Sequence, residues 1–518
     1  MRNRNRRDFL ADVGRGMLVA SVGTATAIDL GFSPQFADAS DSQRLTFGKL
    51  EPLVSRLQET EPERLLASLI HDLKQGLDLK TLVSAAALAN VRAFAGQDYT
   101  GYHTFMALVP ALQMSGELPS DQQPLPVLKV LYRNSSRIQE QSANTTDALP
   151  PLAVVAPVDA AGNDHFVRDA VRVVDWDIAE SRFAGILRNS VDEAYNQLQV
   201  AVQDEADVHR VVLSWRAWSM LELSGEEYAH TLLRQSVRYC LDVEQRMREK
   251  NYGASPIRNV LPRLLDEYKL LSKPVGKRMP DDAWVDQLAT SVFSSTREQA
   301  AEAVAAALAE GFDPEAIGEA IALAANKLVL HDPGRLEKNS SAIKPPGCVH
   351  GDSVGVHASD AANAWRNIAR VSNARNQVAS LIVGAFHTAG QTDWVTKEPY
   401  PYVERLADIH SGDQQSLLAQ ADEAIRANEQ ARACAIIHKY GELNLPARPI
   451  FDLMLRYACS EDGALHAEKY YCTVAEEYAT TRPAFRWRQL IALARVTASE
   501  YGFPAAGYRE SRELLGLS

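Results

Sequence analysis

LKTLVSAAALANVRAF, residues 79–94, is the stretch whose reading decides the fold. Its apolar side chains recur three and four positions apart, and alanine and leucine dominate it. It holds no apolar–polar alternation of the kind a half-buried strand needs. The same pattern recurs in Glu193–Ala206, Arg297–Glu310, Glu315–Leu330 and Gln415–Tyr440. Leu152–Val158 and Val171–Trp176 are the best strand candidates, and they are long enough for at most a minor hairpin. Proline- and glycine-rich breaks at Pro119–Pro126, Pro150–Pro157, Lys273–Pro280, Pro333–Gly351 and Trp394–Pro401 punctuate the chain more than they divide it. The expected fold is all-α, built from repeated helix–loop–helix units that form a helical array or a duplicated bundle.

Working outward from residues 79–94, Gly76-Leu77-Asp78 introduces the stretch just as Gly311-Phe312-Asp313 introduces an Ala-rich helix ending at Lys327. After each helix comes a loop, then His103 or His357, then a further apolar helix around Leu125–Ile138 or Val378–His387. Leu198–Val202 before His209 and Phe451–Tyr457 before His466 occupy the same relative place, which sets units around 65–145, 165–250, 295–392 and 405–510. In all four an acidic residue stands five positions before the histidine: Asp98/His103, Asp204/His209, Asp352/His357 and Glu461/His466. Asp and Glu make up 66 of 518 residues, so the offset alone would arise once or twice among twelve histidines by chance. The shared helix–loop–helix context is what gives it weight. Four units delivering one histidine each would build a metal or catalytic centre where they meet.

The second unit adds Glu226-Glu227-Tyr228-Ala229-His230, which places Glu226 and His230 one helical turn apart as further ligands. On this reading His103, His209, His230, His357 and His466 hold a transition metal, iron first, with copper or zinc as alternatives. Asp98, Asp204, Asp352 and Glu461 would accept the ring N–H groups and fix their orientation. The competing reading is structural: buried neutral histidines on helix termini, with the acids as helix caps. The aromatic residues near the repeat histidines, Tyr99, Tyr102, Trp215, Trp218, Trp365, Tyr470 and Tyr471, would wall a pocket or simply belong to the core. His71, His165, His331, His350, His387, His410 and His438 share no context.

Residues 1–39 read as a twin-arginine export signal: Arg6-Arg7 before Asp8-Phe9-Leu10, a weakly apolar stretch from Gly16 to Ile28, and Ala37-Asp38-Ala39 as the cleavage site. The mature chain, one all-helical repeat domain over 40–518, is then exported, periplasmic in a Gram-negative cell. Without the signal it carries 49 basic against 62 acidic residues. That surface repels phosphate backbones and anionic lipid, which argues against nucleic-acid or membrane partners. Cys240, Cys348, Cys434, Cys459 and Cys472 are odd in number and lack C-x-x-C spacing, which disfavours a cysteine-built iron–sulfur or zinc site, though a Cys459–Cys472 disulfide stays open. Motifs for a serine nucleophile, a nucleotide, a zinc protease or a c-type haem are missing.

Leu79–His103, Asp204–Arg238 with W-R-A-W-S-M-L and A-H-T-L-L-R-Q-S, Val356–Trp365 and Asp462–Tyr471 together resemble an uncharacterised bacterial family of all-helical proteins. Some of its members are joined to an N-terminal Rieske-type iron–sulfur domain. The resemblance implies redox chemistry, such as an oxygenase, acting on a small-molecule substrate. The paired C-x-H and C-x-x-H motifs of a Rieske domain do not occur together in this sequence, so a separate electron-transfer protein would serve as donor. The expected function is an exported metal-dependent oxidoreductase. The alternative is a non-catalytic helical-repeat scaffold that binds a protein partner, its histidines structural.

Overall fold

Asp78 accepts the Thr81 N–H at 2.8 Å and so starts the Leu79–Phe94 helix, whose residues from Leu82 through Phe94 are all buried. The same device, an Asp, Ser, Thr or Asn side chain taking an otherwise orphaned amide of the first turn, opens helix after helix along this chain: Asp98, Ser190, Thr296, Asp313 and Asn373 all act this way. The structure is a computed structural model and describes residues 44–141, 147–152, 165–342, 344–349, 353–410 and 412–517. Among these the fold is all-α, joined by turns and short 3-10 segments, with only isolated bridges in place of a sheet.

The described helices gather into two compact units, one within 44–205 with 209–256 and 506–517, the other of 206–208 with residues within 257–505. In the first, Leu79–Phe94 is the central helix and packs against Glu51–Glu59, Tyr99–Ser115, Pro124–Glu140 and Ala229–Glu249. Tyr508–Leu515, from the end of the chain, packs on Pro62–Lys74 and Pro124–Glu140. Arg92 lies fully buried in the central helix, with Nε donating to Gln58 Oε1 at 2.8 Å and Nη1 to Glu51 Oε1 at 2.6 Å. A guanidinium removed from water needs that many acceptors.

In the second unit Pro314–His331 takes the central place, started by Asp313 and packed against Asp282–Ser294, Val354–Val371, Ala374–Ala389 and Trp487–Glu500. Each unit thus runs in the same order, an Ala-rich central helix, a helix carrying a repeat histidine, then a third helix against both.

Two sequence expectations need correction. Val171–Trp176 forms no strand: the Phe166–Val173 helix runs into it, Val174 turns left-handed at φ 60°, and Asp175 caps the Trp176–Leu187 helix. Gln415–Tyr440 is two helices, Gln414–Arg426 and Gln430–Glu442. The break falls at Asn428, left-handed at φ 55°, whose side-chain amide donates to Ala498 O and Tyr501 O at 2.9 Å. Asparagine tolerates that conformation better than other non-glycine residues. The export signal over 1–39 and most of Leu152–Val158 lie outside the described residues. No described helix is long and apolar enough to cross a membrane.

Candidate metal centre

His103, His209, His357 and His466 each stand in the first turn of a helix: Tyr99–Ser115, Val208–Ser224, Val354–Val371 and His466–Thr480. The structure brings them together in pairs, one pair in each unit. His103 and His209 have ring centroids 4.7 Å apart and planes at 64°; His357 and His466 have centroids 4.7 Å apart and planes at 72°. All four are nearly excluded from solvent, at 2%, 2%, 8% and 3% exposure, so their ring nitrogens must be served by protein groups or by a buried ligand.

Backbone carbonyls do part of that. His103 Nδ1 lies 2.7 Å from Tyr99 O and His357 Nδ1 lies 2.8 Å from Ser353 O, both four residues back along the chain. A carbonyl oxygen can only accept, so each Nδ1 carries a hydrogen and each Nε2 is turned forward. His466 reaches the same tautomer differently, through Ala464 O at 2.8 Å. In the second unit the consequence is direct: His466 Nε2 stands 3.0 Å from His357 Nε2.

The His466 carbonyl partner sits in an unusual backbone. Gly463, Ala464 and Leu465 are successively left-handed, with φ of 49°, 49° and 65°. For Ala464 and Leu465 that conformation costs about 1–2 kcal/mol each. The turn is braced from outside: Glu461 accepts the Gly502 and Phe503 amides at 3.0 and 2.9 Å, and the Asp462 amide donates to Phe503 O at 2.8 Å.

The surroundings of the two pairs differ. In the first unit Tyr99 and Tyr102 lie against both rings, Tyr99 4.3 Å from His103 and Tyr102 5.3 Å from His209, with Tyr239 edge-on to Tyr102 at 5.3 Å. Burial pushes the Tyr99 phenol well above its ordinary range, so it stays a neutral phenol. Trp365, on the His357 helix, is buried and directs its indole N–H to His387 Nδ1 at 3.3 Å.

Asp98, Asp204 and Glu461, each five residues upstream of a repeat histidine, make strong contacts with arginines or backbone amides. Asp98 caps its helix through the Gly101 amide at 2.7 Å and takes Arg137 in a bidentate pair at 2.9 and 2.6 Å, so it does not hold the His103 ring. Asp204 receives Arg172 through both oxygens at 2.5 and 2.7 Å. Glu461 serves the 502–503 backbone, as above. An ionised carboxylate gains more from a guanidinium or from backbone amides than from one neutral imidazole N–H. Asp352 and His350 lie outside the described residues. The helix of His357 is instead capped by Ser353, and Asp332 accepts from the Ser353 hydroxyl at 2.6 Å and the Gly355 amide at 3.2 Å.

Glu226 and His230 do not share a helical face. Glu226 is exposed in a 3-10 segment, Glu226–Tyr228, and the helix begins at Ala229, because Gly225 at φ 97° breaks the chain direction. Burial, together with Arg234 and Arg188, pulls the His230 ring down to about 4, a setting that repels a cation. In the unfolded chain this ring protonates below its ordinary value near 6.5. Between pH 6.5 and 4 the unfolded state therefore binds the extra proton, and stability falls as pH falls. His230→Gln should flatten that acid limb by on the order of 2 kcal/mol in denaturant titrations at pH 7 and pH 4.5.

All five cysteines are buried outside any disulfide, and burial pushes Cys348 and Cys434 up to about 12, which leaves them unreactive thiols. Cys459 and Cys472 are not paired to one another.

What the sequence reading missed is a glycine two positions before each central-helix partner histidine, Gly101-Tyr102-His103 and Gly355-Val356-His357. A Cβ on Gly355 would stand 2.4 Å from Val329 Cα, and one on Gly101 2.5 Å from the Phe94 ring. The glycines let the histidine helix touch the central helix, and the repeated G-x-H spacing was the available signal.

Comparison with family models, with characterised proteins and with solved structures finds no match to this chain.

Proposed function

We propose that the chain is a metal-binding protein whose repeat histidines hold a transition-metal ion, and that it works as an exported oxidoreductase supplied with electrons by a separate protein. The observation that carries the reading is the 3.0 Å approach of His357 Nε2 to His466 Nε2, with both Nδ1 atoms committed to backbone carbonyls. Two imidazole nitrogens at that distance share either a hydrogen or a cation bound to both, and we take the cation. Two imidazole nitrogens bound side by side to one six-coordinate ion, each near 2.1 Å from it, stand about 3 Å apart. Neutral imidazoles suit iron, copper or zinc over the hard alkaline-earth ions. Iron is the first choice for a redox centre; the pairing of His103 and His209 with two phenol rings is in keeping with redox work.

The matching central helices, G-x-H steps and histidine pairs support a duplication in which each half carries its own histidine pair. Any substrate would be a small molecule bound at an open position of the ion.

Elemental analysis by mass spectrometry of the full chain, purified after export through its native pathway, tests the reading. One or two ions of iron, copper or zinc per chain are expected, and their loss in a His103→Ala/His357→Ala variant of unchanged helicity. A native chain free of these metals overturns it. The histidines would then be structural and share a proton, as befits a helical scaffold for a protein partner.

A further inference from the structure

The approach of His466 to His357 depends on how His466 is presented, and its presentation differs from that of the other histidines. His103 and His357 send Nδ1 to a carbonyl one regular helical turn back. His466 is the first residue of its helix and has no preceding turn, so the chain supplies a carbonyl from only two residues back, Ala464 O. That carbonyl reaches the ring because Gly463, Ala464 and Leu465 are all left-handed. Ala464 and Leu465 are poor residues for that conformation, and nothing local compels it. The 460–462 segment is instead tied to the 502–505 segment by Glu461 on two amides, by the Asp462 amide on Phe503 O, and by the Ala505 amide on Ser460 O at 2.8 Å. A Cβ on Gly463 would meet Ala467 Cβ at 2.7 Å, so the start of the turn is packed against its own helix as well.

We propose that the left-handed turn Gly463–Leu465 is the positioning element of this metal centre, resting on the proposed function above: its backbone, held in a disfavoured conformation by the 502–505 segment, aims His466 Nε2 at the ion that His357 also binds. The turn and the histidine pair are coupled in both directions. A change that disfavours the left-handed conformation at position 464 withdraws the ligand, and a bound ion favours the turn. Ala464 is a positioning residue, since its side chain touches no ion and only its backbone serves the ring.

A substitution series at Ala464, half-buried and small, tests this in the full-length protein, loaded with Co(II) as the probe and followed by its visible absorption and by chelator competition. Ala464→Gly and Ala464→Asn, which accept the left-handed region, should bind Co(II) as tightly as the parent or up to severalfold tighter. Ala464→Val, β-branched and averse to it, should weaken binding about tenfold or more and alter the absorption bands. Asn444, also left-handed at φ 51° in the same unit, is the control. Asn444→Val should lower the melting temperature and leave Co(II) affinity and spectrum untouched, which separates loss of stability from loss of ligand placement. An affinity constant across Gly, Asn, Ala and Val at position 464 overturns the positioning role while leaving the metal reading intact. A parent protein that takes up no Co(II) overturns both.

Discussion

His357→Ala should lower the affinity of the chain for its ion by about 10²–10³-fold, with the metal-free protein still folded. The size follows from what one ligand contributes: structural sites with four protein ligands bind with about 10–16 kcal/mol, so one ligand is worth about 3–4 kcal/mol. The metal-free fold should be far less affected, because the imidazole ties back to its own helix through Ser353 O and makes one further polar contact, with His466 at 3.0 Å. Removing it leaves a cavity and ends that contact. Chelator competition gives the affinity and far-ultraviolet circular dichroism gives the fold. His466→Ala should behave alike. An unaltered affinity in His357→Ala would mean that the ion, if bound, is held elsewhere in the chain.

The second large effect is on packing. Gly355→Ala should destabilise the second unit by about 3 kcal/mol, near the upper end for overpacking, because the new methyl meets main chain and not a movable side chain. Its nearest atoms would be Val329 Cα at 2.4 Å and Val329 N at 2.5 Å. The Pro314–His331 and Val354–Val371 helices must then separate, which carries His357 away from His466. Gly101→Ala, whose methyl would meet the ring of Phe94, should cost less, since a ring can turn aside. Denaturant unfolding of the two variants measures the difference, and equal costs would show that the Gly355 contact yields as easily as the Phe94 ring. If the histidine pair holds the ion as proposed, Gly355→Ala should also weaken metal binding despite touching no ligand.

The contrast between these glycines and the acids shows where sequence reasoning succeeded and where it stopped. An acid five residues before each histidine was legible, and so was the helix that each histidine opens. The role assigned to Asp98 was not, because Arg137, 39 residues away in sequence, competes for the carboxylate and wins on charge. The tautomers of His103 and His357 were within reach of reasoning from a first-turn position, since the carbonyl four residues back is always near. The Ala464 carbonyl was not, because nothing in Gly-Ala-Leu announces three consecutive left-handed residues; the distant 502–505 segment imposes them. Asn428 lies between these cases: asparagine hinted at a break in 415–440, and its bonds to Ala498 O and Tyr501 O fixed the place.

By itself the sequence determined that this protein is all-α, because helical periodicity and capping residues act within a few positions of one another along the chain. It also located the four histidines at helix starts. Only the tertiary structure decided that the chain forms two cores, that its histidines meet in a pair within each, and that backbone carbonyls receive Nδ1 of His103, His357 and His466. Those outcomes depend on which surfaces meet across a hundred or more residues, as His357 and His466 do, and on which of several competing partners each buried polar group finds there. Local pattern carries no record of that competition.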